Sequence, residues 1–156
     1  MDFWLLHRRL SPPLRQQRDR DALSAGLADG TIDALVSDHT PVEADAKTLP
    51  FAESEPGATG LELLLPLALQ WGEQSGAGLQ RAIEVVTAAP ARLLAAGGAG
   101  RLAAGGAADL CVVDPAHEWQ VSPEALKSQG KHTPFGDYAM RGRARFTLVG
   151  GRVVHG

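Results

Sequence analysis

The stretch Asp29-Gly30-Thr31-Ile32-Asp33-Ala34-Leu35-Val36-Ser37-Asp38-His39-Thr40-Pro41 decides how the chain is read. Asp29-Gly30 is a stop signal for whatever helix precedes it. Ile32 to Val36 is a short apolar run between polar residues, the pattern of a parallel strand covered on both faces. Upstream, Asp19 to Ala28 has Ala22, Leu23, Gly26 and Leu27 on one helical face, with Asp19 as a candidate cap. Helix, tight turn and buried strand make an α/β unit. In such folds the carboxyl ends of strands are where active sites are built, and Asp38 stands at that end. A carboxylate there can ligate a metal or carry a proton, although Asp is also a common turn and cap residue.

Working outward, Pro12-Pro13 forces an extended entry. Asp38 to Thr59 has no sustained period, and a loop that long is functional or disordered. Its acidic residues Glu43, Asp45, Glu53 and Glu55 are expected to face water. Leu61 to Trp71 reads as a helix apolar nearly all round, and therefore buried. Leu79 to Thr87 forms the next helix. A further one begins at Ala89, with Pro90 near its first turn. Glycines crowd Gly97 to Gly106 without a preceding strand, so they form turns rather than a phosphate cradle. Ala108 to Asp114 reads as a strand, and Arg145 to Val149 with Arg152 to His155 as a hairpin about Gly150-Gly151. The predicted division lies near residue 100, between an α/β part (1–100) and a β-rich part (101–156).

Composition narrows the function classes. The 156 residues are 44% hydrophobic with a net charge of -3, which suits a packed core. Arg8-Arg9 and Arg141-Gly-Arg143 are too short for a nucleic-acid footprint. No segment approaches a membrane span, and Met1 to Arg9 makes a poor signal peptide. A single cysteine excludes an internal disulfide and fits the cytoplasm; in its apolar run Cys111 reads as an inert buried thiol. His39 follows Asp38 directly, so the two point to opposite sides of an extended chain, and His39 is expected to bond or pack rather than share an ion. His7, His117, His132 and His155 show no metal-ligand spacing and read as surface or packing residues.

The motifs in order carry a more specific message. Pro12-Pro13-Leu14-Arg15, Asp19-Arg20-Asp21-Ala22-Leu23, Asp29-Gly30-Thr31-Ile32-Asp33 and Ser37-Asp38-His39-Thr40-Pro41 resemble the last barrel segments of dihydroorotases. Pro50-Phe51-Ala52-Glu53, Pro56-Gly57-Ala58-Thr59-Gly60-Leu61-Glu62, Pro66-Leu67, Ala89-Pro90-Ala91-Arg92 and Ala107-Ala108-Asp109-Leu110 continue the likeness. His132-Thr133-Pro134-Phe135-Gly136 and Val149-Gly150-Gly151-Arg152-Val153-Val154 resemble the closing β segment. Each motif alone is weak, whereas their order and spacing are specific. Residues 1–10 read unlike the family.

The resemblance implies the last segments of an amidohydrolase TIM barrel, incomplete here, plus a small C-terminal β-rich sandwich domain. It implies zinc as cofactor, and interconversion of dihydroorotate and carbamoyl aspartate in pyrimidine biosynthesis. It makes Asp38 both metal ligand and proton shuttle, and Ser11, Pro56 and Gly57 substrate contacts. Two departures stand out: Val42 replaces a family His that binds the substrate carboxylate, and Ser11 replaces an Asn. The His-x-His pair, the bridging Lys and the later His ligands belong to earlier strands and are not in this chain. One carboxylate does not build the metal site of a hydrolase, so this chain alone is expected to be inactive.

Val42 also raises a second possibility, a non-catalytic dihydroorotase-like scaffold subunit for aspartate transcarbamoylase. Ser37-Asp38-His39 admits a third, an allantoinase or hydantoinase, and a non-functional gene fragment is a fourth. The assignment to this lineage requires Asp38 at the end of a central strand, turned away from bulk water.

Overall fold

A computed structural model describes residues 9–156; the reading of Met1 to Arg8, His7 included, lies outside the described residues. Helix α1 spans Gln17–Asp29 and starts where Asp19 Oδ2 accepts the Gln16 N–H at 3.0 Å. Asp19 therefore serves from inside the first turn instead of as the cap. The helix ends on Gly30, whose φ of 88° is open only to a residue without a Cβ penalty. Asp29 Oδ1 then accepts the Thr31 N–H at 2.8 Å and completes the turn.

A 3-10 turn, Leu61–Leu63, leads into α2, Leu64–Gln74, followed by α3, Gly78–Glu84, and α4, Ala88–Leu93. Pro66 fits the first turn of α2, where a backbone N–H has no helical acceptor. The expected all-round burial of this helix is only partial. Pro66, Ala68 and Gly72 are buried, whereas Leu61 just ahead of it is 59% exposed. Gly72 permits the close crossing of α2 and α3, since a Cβ there would sit 2.8 Å from that of Ala82. Trp71 Nε1 donates to Ser24 Oγ at 3.0 Å, and Arg81 donates to the Leu27 carbonyl at 2.9 Å, so α2 and α3 hold the end of α1.

The strands β1 (Leu110–Gln120), β2 (Ala139–Val149) and β3 (Arg152–His155) form one antiparallel sheet in the order β1-β2-β3. The hairpin about Gly150-Gly151 forms as expected, both glycines having positive φ (56° and 79°), as a two-residue turn demands. β1 runs longer than the apolar stretch that announced it, and its register shifts between Asp114 and Glu118, around Pro115, which has no N–H for the ladder. Gly97 to Gly106 forms turns. The core joins the helical part to the β-rich part: Leu63 with Val121, Leu126 and Met140, against which Leu67, Trp119 and Phe135 pack. Among the described residues no helix is long and apolar enough to cross a membrane.

Two further expectations are corrected. Ile32 to Val36 is not a strand: Ile32 sits in a bend and the rest of the run is irregular. A strand is defined by a ladder, and here the run has isolated bonds: Ile32 N–H to the Gly26 carbonyl and Leu35 N–H to the Val85 carbonyl at 3.0 Å. Cys111 is exposed instead of buried: it borders an open cavity between β1 and the helices, lined also by Leu65, Ile83 and Val86, that no described residue fills.

Candidate active site

The apolar run leads to Asp38, whose φ of 44° lies in the left-handed region that Asp tolerates better than most residues. Beyond it, the backbone of 37–40 lies directly against that of 57–60. The Thr40 N–H donates to the Ala58 carbonyl at 3.0 Å. A Cβ on Gly60 would stand 2.6 Å from the Ser37 carbonyl oxygen, and one on Gly57 2.5 Å from that of Thr40. Gly57 also has a φ of 140°, so two constraints select glycine at this point. The small-residue run Pro56-Gly57-Ala58-Thr59-Gly60 is thus a contact surface for the segment bearing Asp38.

His39 fastens the same junction. Its Nδ1 accepts the N–H of Gly60 and of Leu61, each at 3.2 Å, which requires Nδ1 to be free of its proton. The expected hydrogen-bonding role for His39 is what the structure contains. With Nδ1 committed to two amides, His39 orients the turn after Asp38.

Ser11, Asp38 and Gly57 line one cavity of about 230 Å³, together with Pro12, Leu35, Leu64, Leu67, Pro134 and Phe135. Pro56 is exposed and does not line it. Asp38 itself is exposed, which departs from the expectation that it would be shielded from water. Val42 is 5% exposed, and its Cγ2 lies against the backbone of Gly57. As expected, Glu43, Asp45, Glu53 and Glu55 are exposed.

Three residues that the sequence reading passed over hold these walls in place. Lys47 is 4% exposed and donates from Nζ to the carbonyls of Arg9 (3.0 Å) and Glu55 (2.6 Å). The Arg9 carbonyl also accepts the Gly57 N–H at 3.0 Å, so Lys47 ties the segment leading to Ser11 to the loop carrying Gly57. Burial, aided by the nearby Arg9 charge and opposed by Glu55, moves the Lys47 ammonium below its ordinary value.

Thr59, fully buried, donates from its hydroxyl to the Gly130 carbonyl and from its N–H to that of His132. Glu62 accepts the amide N–H of Lys127 and Ser128, each at 2.8 Å. Burial alone would raise its pKa; those amides, the Ser128 hydroxyl and the Lys131 charge outweigh it and hold the carboxyl below the usual range. Lys47 carried a faint signal, as the lone cation between residues 38 and 59. Thr59 and Glu62 carried none, since their partners lie about 65 residues or more away.

The donor set can be tested against a metal. Zinc takes four ligands in structural sites and three protein ligands in catalytic ones. Among the described residues no three His, Cys, Asp or Glu side chains converge. Asp38 offers a single carboxylate, and His39 is occupied. The described residues do not by themselves make a metal centre.

Comparison with known proteins fixes the lineage. The family model described as the amidohydrolase family matches residues 1–155. Proteins named dihydroorotase are similar throughout: that of Syntrophotalea carbinolica is 40% identical over 96% of this chain and 35% of its own length. That of Geobacter sp. (strain M21) is 42% identical over 94% and 34%. Among solved structures, an L-hydantoinase (dihydropyrimidinase) from Arthrobacter aurescens superposes with a TM-score of 0.85 at 30% identity, covering 97% of this chain and 35% of that one. A D-hydantoinase from Thermus sp. gives 0.85 at 25% identity, over 96% and 34%. The chain thus spans about a third of the length of the relatives it matches. The strand at Ile32 to Val36 and a shielded Asp38 were therefore too strict a requirement for the lineage: the chain belongs to the amidohydrolase family.

Proposed function

We propose that this chain is the C-terminal part of a dihydroorotase-like cyclic amidohydrolase of pyrimidine biosynthesis. Its residues 1–100 form the last units of the barrel, and 101–156 the small β-rich domain. The observation that carries the reading is that Ser11, Asp38 and Gly57 line one cavity although 27 and 19 residues separate them in sequence. Likeness along nearly the whole chain to proteins named dihydroorotase, at 40–42% identity, supports the choice of substrate pair, dihydroorotate and carbamoyl aspartate.

In this reading the Asp38 carboxylate takes a proton as water adds to the ring carbonyl and returns it to the departing amide nitrogen. Its place in the cavity lining, next to the turn that His39 Nδ1 ties to Gly60 and Leu61, supports this role. Ser11 and the Gly57 backbone contact the substrate, with Pro56 shaping the turn from outside. Zinc is expected in the parent enzyme, with Asp38 as one ligand; the described residues bring too few donors to hold it alone.

One observation favours a second reading, a non-catalytic scaffold that binds aspartate transcarbamoylase. Val42 is packed into the wall beside Gly57, where it gives no hydrogen bond to a substrate carboxylate.

A hybrid enzyme separates the two. Residues 9–156 would replace the matching third of the Syntrophotalea carbinolica dihydroorotase. Metal-dependent dihydroorotate hydrolysis is expected from the hybrid and not from the isolated chain. A folded, metal-loaded hybrid without turnover would favour the scaffold.

A further inference from the structure

Lys47 is the lone Lys or Arg between residues 38 and 59, and it is buried. It ends the 3-10 turn Asp45–Lys47, which is bound twice to the residue two places before Gly57. The Glu55 N–H donates to the Ala46 carbonyl at 3.1 Å, and Lys47 Nζ donates to the Glu55 carbonyl at 2.6 Å. A second bond from Nζ, of 3.0 Å, reaches the Arg9 carbonyl on the entry segment. Arg9 in turn lies two places before Ser11. One ammonium therefore bridges the two backbones that lead to Ser11 and Gly57, at the same level on each, and both of those residues line the cavity with Asp38.

Packing alone does not account for a charge in this place. An ammonium withdrawn from water is costly unless its protons are bound, and a methionine would fill similar space without that cost. The acceptors of Lys47 are main-chain carbonyls, so what the charge secures is the placement of backbone. The entry segment is also held from outside: Arg9 Nη1 donates to the Phe51 carbonyl at 2.5 Å, and its guanidinium lies 5.7 Å from the centre of the Phe51 ring. Without the ammonium, the two walls would keep the bond from the Gly57 N–H to the Arg9 carbonyl and lose the bridge beside it.

We propose, on the cyclic-amide reading above, that Lys47 is a positioning residue of this site: its ammonium fixes the separation of Ser11 and Gly57, and with it the grip on the substrate. Contacts of that kind hold the ground state and the transition state alike, so their displacement is read in KM and not in kcat.

The test has two arms. In the full 156-residue chain, Lys47→Met speeds hydrogen exchange at the Gly57 amide by about tenfold and leaves the Leu35 amide, bonded to the Val85 carbonyl, within about twofold. In the metal-loaded hybrid enzyme, Lys47→Met raises KM for dihydroorotate by about tenfold and leaves kcat within about threefold. Lys47→Arg, which keeps a cation able to donate to both carbonyls, restores most of the KM. Arg81→Met serves as the control, since Arg81 holds the Leu27 carbonyl at the end of α1; it leaves KM unchanged.

A purely architectural lysine would lower the yield of active enzyme, and so the apparent kcat, without moving KM; that result would overturn the proposal. So would an equal rise in KM for Arg81→Met, or Gly57 exchange unaffected by Lys47→Met. Absence of turnover in the unaltered, metal-loaded hybrid would instead remove the cyclic-amide reading, and the exchange arm would still decide whether Lys47 ties the two walls together.

Discussion

Replacing Glu62 with Ala removes a carboxylate that accepts two backbone amides at 2.8 Å, from Lys127 and Ser128. Hydrogen bonds to charged groups contribute roughly 1.5–3 kcal/mol each when their partners are left unsatisfied. Here the discount is large. Lys127 is exposed and Ser128 half-buried, so water re-solvates much of what is removed. A net cost of about 1–2 kcal/mol remains. With a urea m-value of about 2 kcal/mol/M, the unfolding midpoint should fall by roughly 0.5–1 M. Tryptophan fluorescence reports the transition, since Trp119 packs against the core.

The pH dependence fixes the cause. The folded Glu62 carboxyl titrates below its ordinary value of 4.5, so its contribution is fully present above that value and is lost as pH falls through the folded pKa. The gap between the parent chain and Glu62→Ala should therefore be full at pH 7 and narrow in acid. Equal midpoints at pH 7, or a gap that stays constant into strong acid, would refute the clamp.

Other outcomes follow from the same geometry. Gly57→Ala should destabilise by about 2–4 kcal/mol, combining a φ of 140° with a Cβ 2.5 Å from the Thr40 carbonyl. Gly76→Ala, with positive φ but open space around it, should cost only about 1 kcal/mol in the same urea assay, and equal costs would remove the argument from crowding. Cys111 should react fully with a thiol reagent in the native state, since it is exposed; reaction only in denaturant would restore the buried reading.

Local chemistry was readable from the residues, and non-local pairing was not. Helix α1, the Gly30 stop and the Gly150-Gly151 hairpin depend on residues within a few positions of one another, and they form where periodicity and turn residues put them. His39 likewise reads as a bonding residue from its place beside Asp38. Ile32 to Val36 shows the converse. An apolar run states that a segment can pair, while the ladder depends on neighbours contributed from elsewhere, and the described residues give it only isolated bonds. Cys111 fails for a related reason: an apolar run does not state which of its residues end up covered, and that depends on what packs over β1 from elsewhere. Thr59 and Glu62 are ordinary polar residues whose importance comes from carbonyls and amides far along the chain. Even so, Ser11, Asp38 and Gly57, chosen from motif order, line one cavity.

The most direct measurement is the ratio of kcat/KM for dihydroorotate between the hybrid enzyme and its Asp38→Asn variant, at matched metal content. If Asp38 carries the proton, the variant should lose a factor of about a thousand or more. Turnover within threefold of the unaltered hybrid would contradict the assignment.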